Sequence, residues 1–367
     1  MKMKRLALGI GGMLLMMAGP SSSLTRTFST LSTSEKQVNA LFAANQGDTR
    51  AALLIRNGKI EAKQYALGYS DANRFISWSM AKSVTAVLIG ELVADGKLKL
   101  DAPVPLIEWS KPGDPHGAIT LRQMLNMSSG LDHTEGLDPK DGAAGVLKSD
   151  TSATLFVDGT ENMSVRNIAK RLEAKPGGKF EYSSMTSLIL AELITRTLTD
   201  SKNPRIRAKV YTDFANERLF KPAGITSAVL DFDGAGTQIG GSIIYMTLDD
   251  WGRFGSLLLA GKAPDDTQVI APDWLAFMRT PSATNSQYGG HVWLNRAVPK
   301  GQDPALFFGN GPDTLFACVG HLGQYVIVSP DQNMVLVRLG KTNDGDLEPV
   351  RQALGHVVSL IPTGANQ

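Results

Sequence analysis

The feature that most constrains the fold is an almost entirely apolar run over residues 84–94, which directly follows a Ser-x-x-Lys pattern. A helix that is apolar on nearly all sides is a buried helix. Asp95-Gly96 ends the run, and glycine suits the left-handed position that follows a last helical turn. The sequence therefore predicts a buried helix with Ser79 and Lys82 at its beginning.

Lys82 is the unexpected residue in this helix, because burying an ammonium group costs free energy unless the group is paired or loses its proton. A neutral amine one turn from a serine hydroxyl can act as the base for a nucleophile. This makes Ser79 a candidate nucleophile. A surface serine capping a helix with a solvated lysine is the competing interpretation, and the apolar run behind the pair argues against it.

Composition excludes several classes of function. The 367 residues carry a formal net charge of +2, with no basic run or aromatic-basic stripe typical of nucleic-acid binding. Cys318 is the single cysteine, so neither an intrachain disulfide nor a CxxC pair can form. The five histidines do not cluster at metal-ligand spacing, and the chain has neither a complete Walker A motif nor a G-x-S-x-G elbow. We therefore expect no metal, no other cofactor and no nucleic-acid partner.

The N-terminus has the order of a secretory signal. A positive stretch with Lys2, Lys4 and Arg5 precedes an apolar core over residues 6–19 and a small, polar segment at 20–23. Since the apolar core is short for a bilayer span, we predict a signal peptide over residues 1–23 and a secreted or periplasmic protein without stable membrane insertion of the mature chain. Residues 24–37, rich in Ser and Thr, are predicted to be a linker.

The remaining chain, residues 38–362, is predicted to be one α+β domain. Asn57-Gly58 between two apolar runs indicates one hairpin, and the runs at 325–328 and 334–339 indicate a second. We expect one antiparallel sheet from about 38–75 and 285–362, a last helix at about 347–361, and an inserted mainly helical part at about 76–284. Helices are predicted to begin near Thr120, Ser164, Ser184 and Leu248, and residues 132–160 are predicted to be a long surface loop.

Two further segments carry candidate site residues. Tyr182 follows Pro176-Gly177-Gly178 and directly precedes a helix, so it can reach into a cleft, although a core tyrosine bonded to backbone is the alternative. His321 and Gly323 stand where a strand begins, and glycine there lets a ligand or another backbone approach closely.

Taken together, these segments resemble a known family. Ser79-Met80-Ala81-Lys82, Tyr182-Ser183-Ser184 and His321-Leu322-Gly323 follow the order and spacing of the penicillin-recognising serine hydrolases: class C β-lactamases, D-alanyl-D-alanine peptidases, family VIII esterases and 6-aminohexanoate-dimer hydrolases. The segment with Trp78 before the nucleophile is most similar to the aminohexanoate-dimer hydrolase branch. The resemblance covers roughly residues 38–362.

The resemblance implies a β-lactamase/transpeptidase-like fold and a mechanism. Ser79 would be the acylated nucleophile, Lys82 its base and Tyr182 a proton relay. The backbone N–H groups of Ser79 and Gln324 would form the oxyanion hole. Ser184, His321 and Gly323, as the second and third motifs, would contact the substrate.

Departures from the family pattern bear on the substrate. His321 stands where most β-lactamases have a lysine that helps hold a substrate carboxylate, and histidine is mostly neutral near pH 7. Leu322 and Ser184 replace the usual hydroxyl residue and asparagine. These changes favour a small-molecule ester or linear amide over a β-lactam. A peptidase or β-lactamase, a catalytically silent module that binds peptidoglycan or a peptide, and a Ser-His-Asp hydrolase using His321 remain alternatives; the oligomeric state is left open.

Overall fold

Strands from both ends of the chain form the main sheet in the computed structural model, which describes residues 31–43, 48–136, 148–157, 160–298 and 304–364. The strands are β1 (Asp48–Arg56), β2 (Lys59–Tyr65), β3 (Phe75–Ile76), β4 (Val229–Leu230), β5 (Ile244–Met246), β6 (Trp293–Leu294), β7 (Phe316–Gly320), β8 (Gln324–Ser329) and β9 (Met334–Lys341). Six of them pair antiparallel in the order β2-β1-β9-β8-β7-β6. The predicted α+β class and both predicted hairpins are confirmed.

The helices are α1 (Thr33–Ala40), α2 (Ala81–Ala94), α3 (Leu121–Leu125), α4 (Asp150–Phe156), α5 (Met163–Ile168), α6 (Ser184–Leu198), α7 (Pro204–Ala215), α8 (Leu248–Ala260), α9 (Pro272–Met278) and α10 (Leu347–Ser359). Helix α1 begins inside the predicted linker, because Thr33 already starts its first turn. The predicted signal peptide at 1–23 lies outside the described residues and stays a prediction. Within those residues, no helix combines the length and apolarity that a membrane crossing requires.

The sheet separates two apolar cores. Along β1, Ala51 and Leu53 pack on one side while Ala52 and Leu54 pack on the other, as a period of two dictates. Helices α2 and α8 contribute to the first core, and α1 and α10 to the second. Gly252 faces the sheet closely, since a Cβ there would lie 2.5 Å from Leu53 Cδ2. The absence of that side chain lets α8 approach the sheet.

Two architectural predictions are wrong. Residues 132–160 are not loop throughout: Asp150–Phe156 form α4, which Ser149 caps by accepting a hydrogen bond from the Ser152 N–H. The sheet is also not single, because β3, β5 and β4 form a second, three-stranded antiparallel sheet inside the mainly helical part. Strands of two or three residues carry no readable periodicity, so sequence patterns cannot find them.

Candidate active site

Ser79 lies in a single 3₁₀ turn, Trp78–Met80, that leads into α2. Trp78 has a positive φ of 44°, a conformation that costs an ordinary residue about 1–2 kcal/mol. Just before it, Ser77 is fixed by bonds from its N–H to Ile244 O at 2.8 Å and from its Oγ to Ser242 O at 3.1 Å. The turn is thus anchored to β5 while half-buried Ser79 faces a cleft.

Lys82 lies one turn further on and is 1% exposed. Its Nζ is 2.9 Å from Ser79 Oγ, 2.7 Å from Ser184 Oγ and 2.8 Å from Gly241 O. Burial, opposed by the charge of Glu135, lowers the pKa of Lys82 to about 8. About one molecule in ten therefore carries a neutral Lys82 at pH 7, and the neutral fraction dominates above pH 8.

Tyr182 completes the group around Ser79. It precedes α6, its hydroxyl hydrogen-bonds Ser79, and its ring centroid lies 4.8 Å from Lys82 Nζ. Burial and then the charge of Glu135 raise the pKa of Tyr182 well above its ordinary value, so this phenol keeps its proton at neutral pH. The structure thus brings Ser79, Lys82 and Tyr182 together, as an acylation centre requires.

The cleft in front of Ser79 has a volume of about 400 Å³. Its walls include Tyr182, Trp293, Leu322 and both predicted third-motif residues, His321 and Gly323. The His321 ring packs edge-on against Trp78, with centroids 5.3 Å apart. This contact couples the third motif to the residue before the nucleophile.

Buried Arg338 supports the third motif from behind. It donates from Nη1 to Gly323 O at 2.7 Å, from Nη2 to Thr342 Oγ1 at 2.7 Å and from Nε to Thr49 Oγ1 at 3.0 Å. Gly323 has φ 79°, and a Cβ there would lie 2.6 Å from Arg338 Nη1. Both observations explain the glycine at this position.

Two residues predicted to serve the substrate are almost fully buried. Gln324 is 2% exposed and pairs with Gly320 across the β7–β8 hairpin; its Nε2 donates to the carbonyls of His321, Leu322 and Gly340. Its oxyanion role stays a prediction. Ser184, 2% exposed, lies behind Lys82 rather than among the residues that line the cleft. Its contact with substrate also stays a prediction.

Sequence reasoning missed Glu135, which lines the cleft and accepts hydrogen bonds from Ser184. It also missed Arg351 of α10, a half-buried cation at the cleft that pairs with Glu348 at 3.2 Å. No sequence motif marks either residue: Glu135 lies in the predicted loop, and Arg351 lies on an ordinary amphipathic helix. Only the folded arrangement identifies them.

A second cavity, of about 470 Å³, lies between α8 and the β1–β2 hairpin. Its serine, Ser256, bonds the Gly252 carbonyl of its own helix at 3.0 Å. This geometry gives that hydroxyl a structural partner rather than a base. The contact between a serine hydroxyl and a buried lysine amine lies instead at the cleft of Ser79. Across the part of the chain that the structure describes, no group of three or more His, Cys, Asp or Glu side chains could hold a metal ion.

Comparison with known proteins agrees with this geometry. Residues 38–358 match the beta-lactamase family. A 6-aminohexanoate-dimer hydrolase of Paenarthrobacter ureafaciens is 24% identical over 306 residues, covering 81% of this chain and 74% of that protein.

Solved structures share the fold. A putative 6-aminohexanoate-dimer hydrolase from Bacillus anthracis superposes with a TM-score of 0.66 at 20% identity, over 89% of this chain and 86% of that one. A D-stereospecific amidohydrolase from Streptomyces sp. gives a TM-score of 0.62 at 17% identity, over 89% and 98%. The β-lactamase/transpeptidase-like fold that the resemblance implied is therefore confirmed.

Proposed function

Since the chain belongs to the beta-lactamase family and is a serine hydrolase of that family, we propose that it cleaves an ester or a linear amide through a covalent intermediate on Ser79. The 2.9 Å contact between Lys82 Nζ and Ser79 Oγ, inside a buried pocket at a cleft, is the observation that carries this proposal. It joins a nucleophile to a base whose pKa is lowered to about 8.

The steps follow from the proton positions. Neutral Lys82 takes the Ser79 hydroxyl proton as Oγ bonds the substrate carbonyl carbon, and the carbonyl oxygen becomes an oxyanion. The 3₁₀ turn and α2 begin at this point, and a helix N-terminus offers N–H groups where that charge develops. The carbonyl then re-forms as the bond between its carbon and the leaving group breaks. Tyr182, still protonated, gives its proton to the leaving group and regains one from Lys82. Water then attacks the acyl-enzyme with the same groups in reverse roles.

The cleft favours esters and linear amides. Histidine, His321, stands at the position where most β-lactamases have the third-motif lysine, and Leu322 offers no hydroxyl. The relatives named for amide hydrolysis support a linear amide among the candidates. A silent binding module would not need a nucleophile, a base and a protonated phenol in mutual contact, so the intact Ser79–Lys82–Tyr182 group argues against it.

The test is Ser79→Ala against Ser256→Ala, a serine that lies outside the cleft. The protein is incubated with p-nitrophenyl esters, short linear amides and penicillins, and acyl adducts are detected by intact mass. We expect turnover of p-nitrophenyl esters and a mass adduct in the parent and in Ser256→Ala, and neither in Ser79→Ala. Equal activity in Ser79→Ala would remove Ser79 from the mechanism.

A further inference from the structure

Glu135 lies at the end of a hydrogen-bonded chain that starts at the nucleophile. Resting on the proposed function, we propose that Glu135 is a positioning residue: through Ser184 it orients the Lys82 amine towards Ser79 and balances the ammonium that forms on acylation. It lies in a segment with no recognisable motif and no regular secondary structure.

The geometry fixes the direction of every hydrogen bond in this chain. Glu135 Oε1 accepts from Ser184 Oγ at 2.6 Å, and its Oε2 accepts from the Ser184 N–H at 2.6 Å. A hydroxyl has one proton, and a carboxylate can only accept. Ser184 Oγ therefore gives its proton to Glu135 and must accept from Lys82, whose Nζ lies 2.7 Å away.

This direction determines what the neutral amine presents to Ser79. A neutral amine has two N–H groups and one lone pair. One N–H goes to Ser184 Oγ and the other to Gly241 O at 2.8 Å, because both are acceptors there. The lone pair then points at the remaining neighbour, Ser79 Oγ, 2.9 Å away, as proton abstraction requires. Without the Glu135 acceptor, the Ser184 proton could turn towards Lys82 and occupy that lone pair.

The same carboxylate faces the charge that forms. Burial raises the pKa of Tyr182, which contacts Lys82, and of Tyr288, which packs on Tyr182; it lowers the pKa of His291 to about 3. These three buried groups are therefore uncharged between pH 7 and 9. Burial also lowers the pKa of His133, near Glu135, to about 4. Glu135 is the charged group that opposes the effect of burial on Lys82. Its field stabilises the ammonium once the Ser79 proton has arrived.

Thr151 fixes the carboxylate itself, since its Oγ1 donates to Glu135 Oε2 at 2.6 Å. Glu135 thus accepts three hydrogen bonds from two helices, α4 and α6. This arrangement holds the carboxylate in place while the proton moves between Ser79, Lys82 and Tyr182. Glu135 neither gives nor takes a proton.

The test compares Glu135→Gln with Glu181→Gln, which removes the same charge beside Tyr182 but from an ion pair with Lys179 at 2.6 Å. The measurement is kcat/KM for a p-nitrophenyl ester from pH 6 to 10. In Glu135→Gln we expect the maximum of kcat/KM to fall by about ten- to a hundredfold. The acid limb of the pH profile, where kcat/KM rises as Lys82 loses its proton, should move to lower pH by about one unit, because the charge that favours the ammonium is gone. Glu135→Asp, which keeps the charge, is expected to hold the limb at the parent position, as is Glu181→Gln.

An unchanged acid limb and maximum in folded Glu135→Gln would overturn the proposal. Should that variant fail to fold by circular dichroism, Ser184→Ala breaks the same hydrogen-bonded chain and must also lower the maximum of kcat/KM; an unchanged maximum there overturns the proposal equally. Adduct formation at Ser79 in the parent separates the two proposals. If the parent forms no adduct, the acyl-enzyme mechanism is wrong. If the parent forms an adduct but Glu135→Gln has the parent's pH profile, only the role of Glu135 is wrong.

Discussion

Two buried cations serve the same cleft in different ways. Lys82 is 1% exposed and contacts Ser79, the proposed nucleophile, whereas Arg338 is 0% exposed and holds the carbonyl of Gly323 in the third motif. Burial lowers both pKa values, to about 8 for Lys82 and to about 10 for Arg338. At neutral pH the amine is thus within reach of deprotonation, while the guanidinium stays charged.

The difference comes from the starting pKa and from the number of donors. Lysine starts near 10.5, so the cost of burial brings it close to physiological pH, and the neutral amine gains a lone pair for catalysis. Arginine starts near 12.5 and keeps its planar set of donors, which here bond Thr49, Thr342 and Gly323. Burial therefore brings Lys82 close to deprotonation, as the proposed base requires, and leaves Arg338 a charged structural donor.

The strongest way to break this comparison is Lys82→Met. We expect kcat/KM for an ester to fall by about 10³, because the general base is lost. The free energy of unfolding at pH 7 should not fall, since an apolar side chain replaces a buried amine. Steady-state kinetics and urea unfolding measure both, with exposed Lys179→Met as the control. A loss of activity below tenfold would show that another group takes the Ser79 proton.

Arg338→Met should give the opposite signature. We expect the free energy of unfolding to fall by about 2 kcal/mol, because the oxygen acceptors of Thr49, Thr342 and Gly323 lose their donor, which outweighs the relief of one buried charge. The acid limb of kcat/KM should stay near pH 8 in the folded fraction. Urea unfolding tests this against Arg296→Met, a partly exposed arginine. Unchanged stability would contradict the role of Arg338 as a brace.

The smallest expected effect is the pH dependence of stability. The folded pKa of Lys82, about 8, lies below its unfolded value of 10.5, so the unfolded chain binds more protons above pH 8 and stability rises with pH. From pH 7 to 9 the parent should gain about 1 kcal/mol relative to Lys82→Met. The difference between the parent and Arg338→Met should stay flat, because Arg338 remains protonated in both states over this range. Urea titrations at pH 7 and pH 9 measure these differences in the free energy of unfolding. If the difference between the parent and Lys82→Met does not change with pH, the pKa of Lys82 in the folded protein lies near its ordinary value.

The main elements of the fold were predictable because their patterns are local. The apolar run after Lys82 predicts α2, and Asn57-Gly58 predicts the hairpin that joins β1 and β2; both are present. Thr120 predicts the start of α3, and in the structure it forms a capping box with Gln123. Helix α4 and the short strands β3, β4 and β5 were missed, since their few residues carry too little pattern.

The sequence by itself determined that a serine and a lysine would share the beginning of a buried helix. Both the apolar run and the three-residue spacing are local patterns, formed by residues that are close together in the chain. Only the tertiary structure decided what surrounds them. Glu135 reaches Lys82 through Ser184, and Arg338 reaches the third motif, across long stretches of chain. Hydrogen bonds and electric fields depend on distance in space, and a linear pattern does not encode which distant residues will meet.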